Sequence, residues 1–251
     1  MKTFEENKPQ VIRLKEVEST NVYVRQLLNQ EEVPEGSIIV ADNQTAGKGQ
    51  PGNTWETEAG CNLTFSLVLH PDMVPSNRQF LISQITALAV KDALEKQISP
   101  IKVKWPNDIY YKDKKICGIL IENDLMAKHI ITSILGVGIN INQPFFRSDA
   151  PNPISLYQLL GKQVDRNEVL SAFVKALFFY YTQLIKGEES KIQQLYLNSL
   201  YRGKGIYPYT DSKGSFDALI KAVEPDGHLV LKDTKGQIRR YIFKEVSFVL
   251  S

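Results

Sequence analysis

The sequence predicts an α+β body followed by a small antiparallel β-barrel, with the division near residue 202 (domains 1–202 and 203–251). Two observations carry this. Up to Arg202, short apolar runs of strand length alternate with stretches whose apolar residues recur at helical spacing. After Arg202 the texture changes to short alternating runs (Phe216, Ala218, Ile220, Ala222; Leu229, Leu231) separated by Pro225-Asp226-Gly227 and by Asp233 to Gly236, which is hairpin chemistry.

Taken in order, Val11 to Val17 reads as a first strand. Ser19-Thr20-Asn21 reads as a helix N-cap, with the helix reaching about Gln30 before Pro34-Glu35-Gly36 turns the chain. Ser37 to Ala41 is a buried strand, residues 42–60 a long polar, Gly-rich loop, and Leu63 to Leu69 a strand ended by Pro71. Ser76 and Gln79 have capping-box spacing, and the helix after them, to about Lys96, aligns Ile82, Ile85 and Ala89 on one face. Strands are expected over 101–104, 109–112, 116–123 and 130–141, with a polar hairpin turn around Lys112 to Lys115. Asp165 and Glu168 repeat the capping-box spacing ahead of a sustained helical stripe from Val169 to Ile185, and a shorter helix covers roughly 191–199.

Composition narrows the classes. Of 251 residues, 43% are hydrophobic and 23% charged, an ordinary balance for a chain that can bury a core. The net charge of +2 comes with no basic stripe or nucleic-acid motif, so no DNA partner is expected. Cys61 and Cys117 are far apart in apolar surroundings and read as small buried hydrophobes rather than a disulfide or redox pair. His70, His129 and His228 lack zinc-type spacing. The polar start, Met1 to Gln10, carries no apolar signal region, and no run approaches the ~20 residues of a membrane span. The expectation is a reduced, cytoplasmic protein with no membrane partner.

Four segments stand at strand ends and carry polar chemistry. The break Lys104-Trp105-Pro106-Asn107-Asp108 interrupts a strand, because proline restricts its predecessor and donates no N–H. It presents a cation, an amide and a carboxylate together, suited to a phosphate, a metal ion or both, although a strand-end turn has the same composition. The loop Gln44 to Trp55 holds Gly47, Lys48, Gly49, Gln50 and Gly52. Its glycines could turn successive N–H groups toward one anion, or simply make a surface loop. It is neither a P-loop nor a dinucleotide fingerprint. Trp55 packs on the body or closes as an apolar lid. Gly136-Val137-Gly138-Ile139-Asn140-Ile141-Asn142 places glycines inside an apolar strand, the mark of a bulge or of close approach by a ligand. The Asn140 amide offers both donor and acceptor to a purine edge. Ser19 and Thr20 either cap the helix or offer hydroxyls to a small polar ligand.

These four segments, in this order, resemble the biotin–protein ligases. Lys104 to Asp108 and Gly118-Ile119-Leu120-Ile121-Glu122 are similar to the most recognisable stretch of that family, and the resemblance covers about residues 11–142. It implies a class II synthetase-like catalytic domain with a mixed sheet, followed by an SH3-like barrel. Only about ten residues precede the first strand, so the expectation is the monofunctional type without a DNA-binding domain.

The implied reaction uses ATP with Mg²⁺ to make biotinyl-5′-AMP, and passes biotin to a lysine of a biotin carboxyl carrier protein domain. By resemblance, Ser19, Thr20 and Gln44, with Asn21 beside them, would bind the ureido ring of biotin. Gly47, Lys48 and Gly49 would hold its carboxylate, and Gly118 would line its pocket. Lys104, with Lys48, would be the catalytic cation. Gln50, Trp55, Asn107, Gly138 and Asn140 would take the nucleotide, Asn140 at adenine, and Asp108 would help order the metal. The loop departs from the family's Gly-Arg-Gly-Arg-Arg-Gly type of stretch: Lys48 lacks the planar fork of arginine, Gln50 is neutral and Pro51 stiffens the turn. Adenylate retention is then expected to rest on Lys104, backbone N–H groups and Trp55.

A lipoate or octanoate ligase or transferase is the nearest rival, but the chain lacks its Arg-Arg-x-x-Gly-Gly-Gly stretch. A non-catalytic ligand-binding protein on the same scaffold would have less use for Lys104, the Gly-rich loop and Asn140. An exposed sheet edge could dock the carrier domain or form a homodimer.

Overall fold

The computed structural model describes residues 8–147 and 152–249; the polar start over 1–7, and residues 148–151 and 250–251, lie outside them. The body opens with β1 (Val11–Val17), α1 (Thr20–Leu28), β2 (Ile38–Gln44) and β3 (Leu63–Leu69). There follow α2 (Phe80–Glu95), β4 (Ile101–Lys104), β5 (Asp108–Tyr111), β6 (Lys114–Met126) and β7 (His129–Ile139). Three helices close it: α3 (Leu156–Leu160), α4 (Arg166–Ile185) and α5 (Glu189–Ser199). The body sheet has seven strands in the order β1-β2-β3-β7-β6-β5-β4. Only β1 and β2 pair in parallel, across the α1 connection, so the sheet is mixed.

Side chains alternate across a strand, and this sheet uses the alternation to make two different faces. Phe65, Leu67, Leu135, Val137 and Ile119 enter the main core, where α2 and α4 pack. Phe65 meets Phe173 of α4 edge to face at 5.0 Å. α2 is apolar on nearly every side because the sheet, α4 and α5 enclose it. On the opposite face Ile39, Val68 and Ile134 join Val24 and Leu27 of α1 in a second, smaller cluster. α1 covers only part of that face: its Thr20 and Asn21 lie over Ser66 and Gly136, and the part beyond them carries Thr64, Gly138 and Gly118. Thr64 pairs in register with Gly138 and Ser66 with Gly136, while Gly118 of β6 lies across from Gly138.

The remaining strands are β8 (Tyr207–Asp211), β9 (Gly214–Val223), β10 (Leu229–Asp233), β11 (Ile238–Tyr241) and β12 (Val246–Phe248). They form an antiparallel sheet in the order β11-β10-β9-β8-β12. The expected barrel closure is not made by the described strands, since β11 and β12 are not paired with each other. This sheet shares the main core with the body through Tyr209, Ala218 and Leu229. Trp105 Nε1 also donates to the Gly227 carbonyl at 2.8 Å, and Gly227 takes φ +96° in the turn after β9, closely packed on Phe80.

Several local expectations are corrected. Ser76 does not cap the next helix: Ser76–Arg78 is a 3₁₀ turn, and α2 starts from Gln79, already in helical geometry and without a side-chain cap. Gln79 instead accepts from Asn123 at 3.1 Å. Asp165 does cap α4, accepting from the Asn167 N–H at 2.8 Å. The reciprocal capping box occurs at Ser155 and Gln158, ahead of α3, a helix the sequence reading did not anticipate. α1 ends at Leu28, β6 extends past its expected end at 123 to Met126, and β7 ends at Ile139 rather than at 141. Cys117 is buried, whereas Cys61 is only half-buried. No helix among the described residues is long and apolar enough to cross a membrane.

Candidate active site

The uncovered face of the sheet is the floor of a cleft of about 400 Å³. Glycine and threonine make this floor: β7 and β6 put Gly136, Gly138 and Gly118 beside Thr64, where larger side chains would fill it. A Cβ on Gly138 would stand 2.5 Å from the Trp55 indole, and one on Gly118 would stand 2.9 Å from it.

One end of the cleft is a polar network at the start of α1. Ser19 occupies the N-cap position, but its side chain makes no capping bond, so the cap reading fails for its hydroxyl. Gln44 Oε1 accepts the Thr20 N–H at 2.8 Å and stands 3.1 Å from Thr20 Oγ1. Ser66 Oγ lies 2.7 Å from Thr20 Oγ1 and donates to Asn21 Oδ1 at 2.5 Å. Asn21 Nδ2 donates to Glu122 Oε2 at 2.7 Å. All of Ser19, Thr20, Asn21 and Ser66 are buried. Thr20, Ser66 and Asn21 therefore hold one another in place, which prepares polar atoms for a ligand without ordering cost on binding.

The other end is cationic. Lys104 closes β4, and its Nζ stands 5.1 Å from the ring centre of Tyr110 and 5.3 Å from that of Phe248. It has no salt bridge among the described residues. Burial holds its ammonium below the ordinary lysine range; the Asp108 carboxylate opposes that shift, and Lys115 and Arg202 add to it. Asp108 Oδ1 pairs with Lys115 Nζ at 2.7 Å, and Lys115 in turn sits 5.5 Å from the Trp55 ring centre. Asn107 Nδ2 donates to the Ile119 carbonyl at 2.7 Å while its own carbonyl accepts the Ile119 N–H, so this side chain fixes the Lys104–Asp108 turn against β6. The Trp105–Pro106 peptide is cis.

The Gly-rich segment is a small hairpin rather than an open nest. Lys48 pairs with Thr54, the Gly49 N–H donates to Asn53 at 3.0 Å, and Trp55 N–H to Gly47 at 2.9 Å. Its turn runs Gln50-Pro51-Gly52-Asn53, with Gly52 at φ +85°. The Gly49 amide is thereby occupied and does not point free at an anion.

The cleft collects Ser19, Thr20, Asn21, Gln44, Lys48, Gly49, Gln50 and Trp55 with Lys104, Asn107, Asp108, Gly118 and Gly138. Two expected site residues stand off it. Gly47 packs against the Trp55 backbone, where a Cβ would meet the carbonyl at 2.5 Å. Asn140 is buried and does not line the cleft, its Nδ2 donating to the Ile154 carbonyl at 3.1 Å and its Oδ1 left without a partner. Sequence reasoning missed Ser66, Glu122, Lys115, Tyr110, Lys244 and Phe248. Thr64 and Ser66 alternating with Phe65 and Leu67 was a readable signal for the floor. Nothing local marked Phe248 or Lys244.

A model of the biotin/lipoate A/B protein ligase family matches residues 14–140. The chain is similar to the bifunctional ligase/repressor BirA of Bacillus subtilis, 30% identical over 225 residues that cover 87% of this chain and 68% of that one. It is 28% identical over 207 residues to the biotin–[acetyl-CoA-carboxylase] ligase of Paracoccus denitrificans, covering 79% and 85% of the two chains. Among solved structures it resembles the Aquifex aeolicus biotin protein ligase in complex with biotin and ATP, with TM-score 0.79, 27% identity, and 96% and 99% of the chains covered. The chain belongs to the biotin/lipoate A/B protein ligase family.

Proposed function

We propose that the protein attaches biotin to a lysine of a biotin carboxyl carrier protein domain, using ATP through biotinyl-5′-AMP. The observation that carries this is the pairing, in one cleft, of the prearranged Ser19–Thr20–Gln44 polar end with the Lys104 cation. A ureido ring needs donors and acceptors in a fixed pattern. A lipoyl or octanoyl chain would displace water from this polar end and return no hydrogen bond to Ser19, Thr20 or Gln44, so the end discriminates against it.

In the first step a biotin carboxylate oxygen attacks the α-phosphorus of ATP, and the bond from that phosphorus to the bridging oxygen breaks to release pyrophosphate. Lys104 neutralises charge on the carboxylate and the α-phosphoryl oxygens, and its half-dry site between Tyr110 and Phe248 strengthens that attraction. Lys48 adds a second cation from the hairpin. In the second step the neutral acceptor amine attacks the acyl carbon, and AMP leaves as the amide forms. Trp55 and the hairpin exclude water that would hydrolyse the mixed anhydride.

The nucleotide would lie over Gly118 and Gly138 beside Trp55. The orphaned Asn140 Oδ1 fits an amino-group donor such as that of adenine, once the indole and the floor adjust. Asp108 is the one carboxylate among the described lining residues, with Lys115 holding its Oδ1. Its remaining oxygen suits an Mg²⁺ that arrives on the triphosphate and keeps most of its water. The bound ion would neutralise phosphate charge. We also assign residues 203–251 to a C-terminal domain of SH3-like type on its size and hairpin order. The open edge at β1 offers a docking line for the carrier domain or a second copy of the chain.

The test is pyrophosphate release with ATP, Mg²⁺ and biotin, followed by the mass of an added carrier domain. Biotin-dependent pyrophosphate and a biotinyl mass gain are expected. Release with lipoate or octanoate but not with biotin would overturn the assignment.

A further inference from the structure

Two reverse turns meet at the mouth of the cleft. One is the Gln50–Asn53 turn of the hairpin. The other is Ile242–Glu245, between β11 and β12, closed by Glu245 N–H to the Ile242 carbonyl at 3.2 Å. Lys244 is the third residue of that second turn and takes φ +72°. Turns of this shape favour glycine or asparagine there, because a Cβ at positive φ crowds the backbone. Glycine would suit the local backbone better than the lysine present. An unfavourable residue held in a left-handed turn beside a site points to a use for its side chain. The side chain has one: Lys244 Nζ donates to the Pro51 carbonyl at 2.5 Å and sits 3.7 Å from where a Cβ on Gly52 would be. Among the described residues Lys244 has no salt bridge. It lines the same cleft as Lys48 and Trp55.

We propose that Lys244 is a positioning residue of the adenylation site: its ammonium pins the Gln50–Asn53 turn, and through it Lys48 and Trp55, so that the C-terminal sheet holds the hairpin over the bound adenylate. The bond does in part what the neutral Gln50 cannot, fixing a loop that offers fewer charges of its own to the ligand. It also gives the C-terminal sheet a working part in the reaction. The inference rests on the ligase reading for its adenylate, but not for the pinning itself.

The experiment uses the full chain with Lys244→Gly and Lys244→Arg. Glycine removes the ammonium while relieving the turn, so the melting temperature should not fall. Arginine keeps a donor of similar reach. Amide hydrogen exchange in the ligand-free protein reads the pinning directly at Gly49, Asn53 and Trp55, whose N–H groups close the hairpin. Exchange there should rise about three- to tenfold in Lys244→Gly and return close to the parental rate in Lys244→Arg, the size expected for one solvent-exposed charged bond. Release of preformed biotinyl-5′-AMP should rise by a similar factor, with the same rescue. Unchanged exchange in Lys244→Gly, or a loosening that accompanies a lower melting temperature and is not rescued by arginine, overturns the proposal. If the parental protein forms no biotinyl-5′-AMP, the ligase reading fails and takes the retention claim with it, while the exchange data still decide the pinning separately.

Discussion

Gly138 and Trp55 are in such close contact that a single methyl group on the glycine would stand 2.5 Å from both Cε2 and Nε1 of the indole. Gly118, paired across the ladder with Gly138, meets the same ring. The floor is therefore shaped to receive a flat group, and Trp55 Nε1 is buried there without a partner. Gly138→Ala should push the indole off the floor. The ring is only half-buried and can move, so the melting temperature should change little, while KM for ATP rises on the order of tenfold. Steady-state kinetics at saturating biotin check this; an unaltered KM would remove Trp55 and Gly138 from the nucleotide site.

Lys104 sets function against stability. Lys104→Met should lower biotinyl-5′-AMP formation by about 10²–10³-fold or more, as expected for loss of a preorganised charge. Its folded pKa lies below 10.5, so between the two values the unfolded chain binds more protons and stability from this group rises with pH. Below that window the buried ammonium costs stability, so the methionine variant should melt higher at neutral pH. A lower melting temperature would contradict the burial argument.

The same shift places an alkaline limb on activity. If Lys104 acts as an ammonium, kcat/KM should fall as it deprotonates, at a pH below 10.5. Bound phosphates favour the charged form, so the limb in kcat should lie at higher pH than the limb in kcat/KM. Coincident limbs would assign the titration to another group.

The polar end should separate binding from folding. Thr20→Val removes the hydroxyl between Gln44 and Ser66 but keeps the Thr20 N–H bond to Gln44. We expect KM for biotin to rise about tenfold or more with a small change in melting temperature. Asn21→Ala should instead destabilise the fold by about 1–3 kcal/mol, because it empties the space of a buried amide that ties Ser66 to Glu122 and leaves Ser66 with Thr20 alone. Denaturant titration of both variants checks the contrast; equal stability losses would argue that the network is structural throughout.

Trp105→Phe tests the seam between the two sheets. It keeps an aromatic ring in the core and removes the 2.8 Å bond to Gly227. A loss of about 1 kcal/mol is expected, with faster amide exchange in the turn after β9. Exchange confined to the Lys104–Asp108 turn would show that the bond supports only the body side.

Much of the body was legible because its signals are local. Proline ended the strand at Lys104, the polar pair at Lys112-Asp113 made the hairpin before β6, and helical spacing from Val169 to Ile185 marked α4. The caps were less legible. Ser76 and Ser155 have the same spacing to a glutamine, yet only Ser155 forms the reciprocal box, because a 3₁₀ turn carries the chain past Ser76 before α2 starts. The sequence left the Gly-rich loop open between an anion nest and a plain surface loop. Its backbone bonds instead close a hairpin, a choice set by Pro51 and Gly52 at the centre of its turn.

The sequence by itself determined the α+β order of elements, the four polar segments at strand ends and the family they resemble, since each rests on neighbours along the chain. The tertiary structure alone decided which face of the sheet stays open, since that depends on how far α1 reaches across β3 and β7. It tied Asn140 to Ile154, away from the cleft lining, and it brought Phe248 and Lys244 from the C-terminal sheet to Lys104 and Pro51. Those contacts join residues remote in sequence. Their geometry follows from strand register and from the packing of one sheet on another, neither of which leaves a period or a motif in the chain.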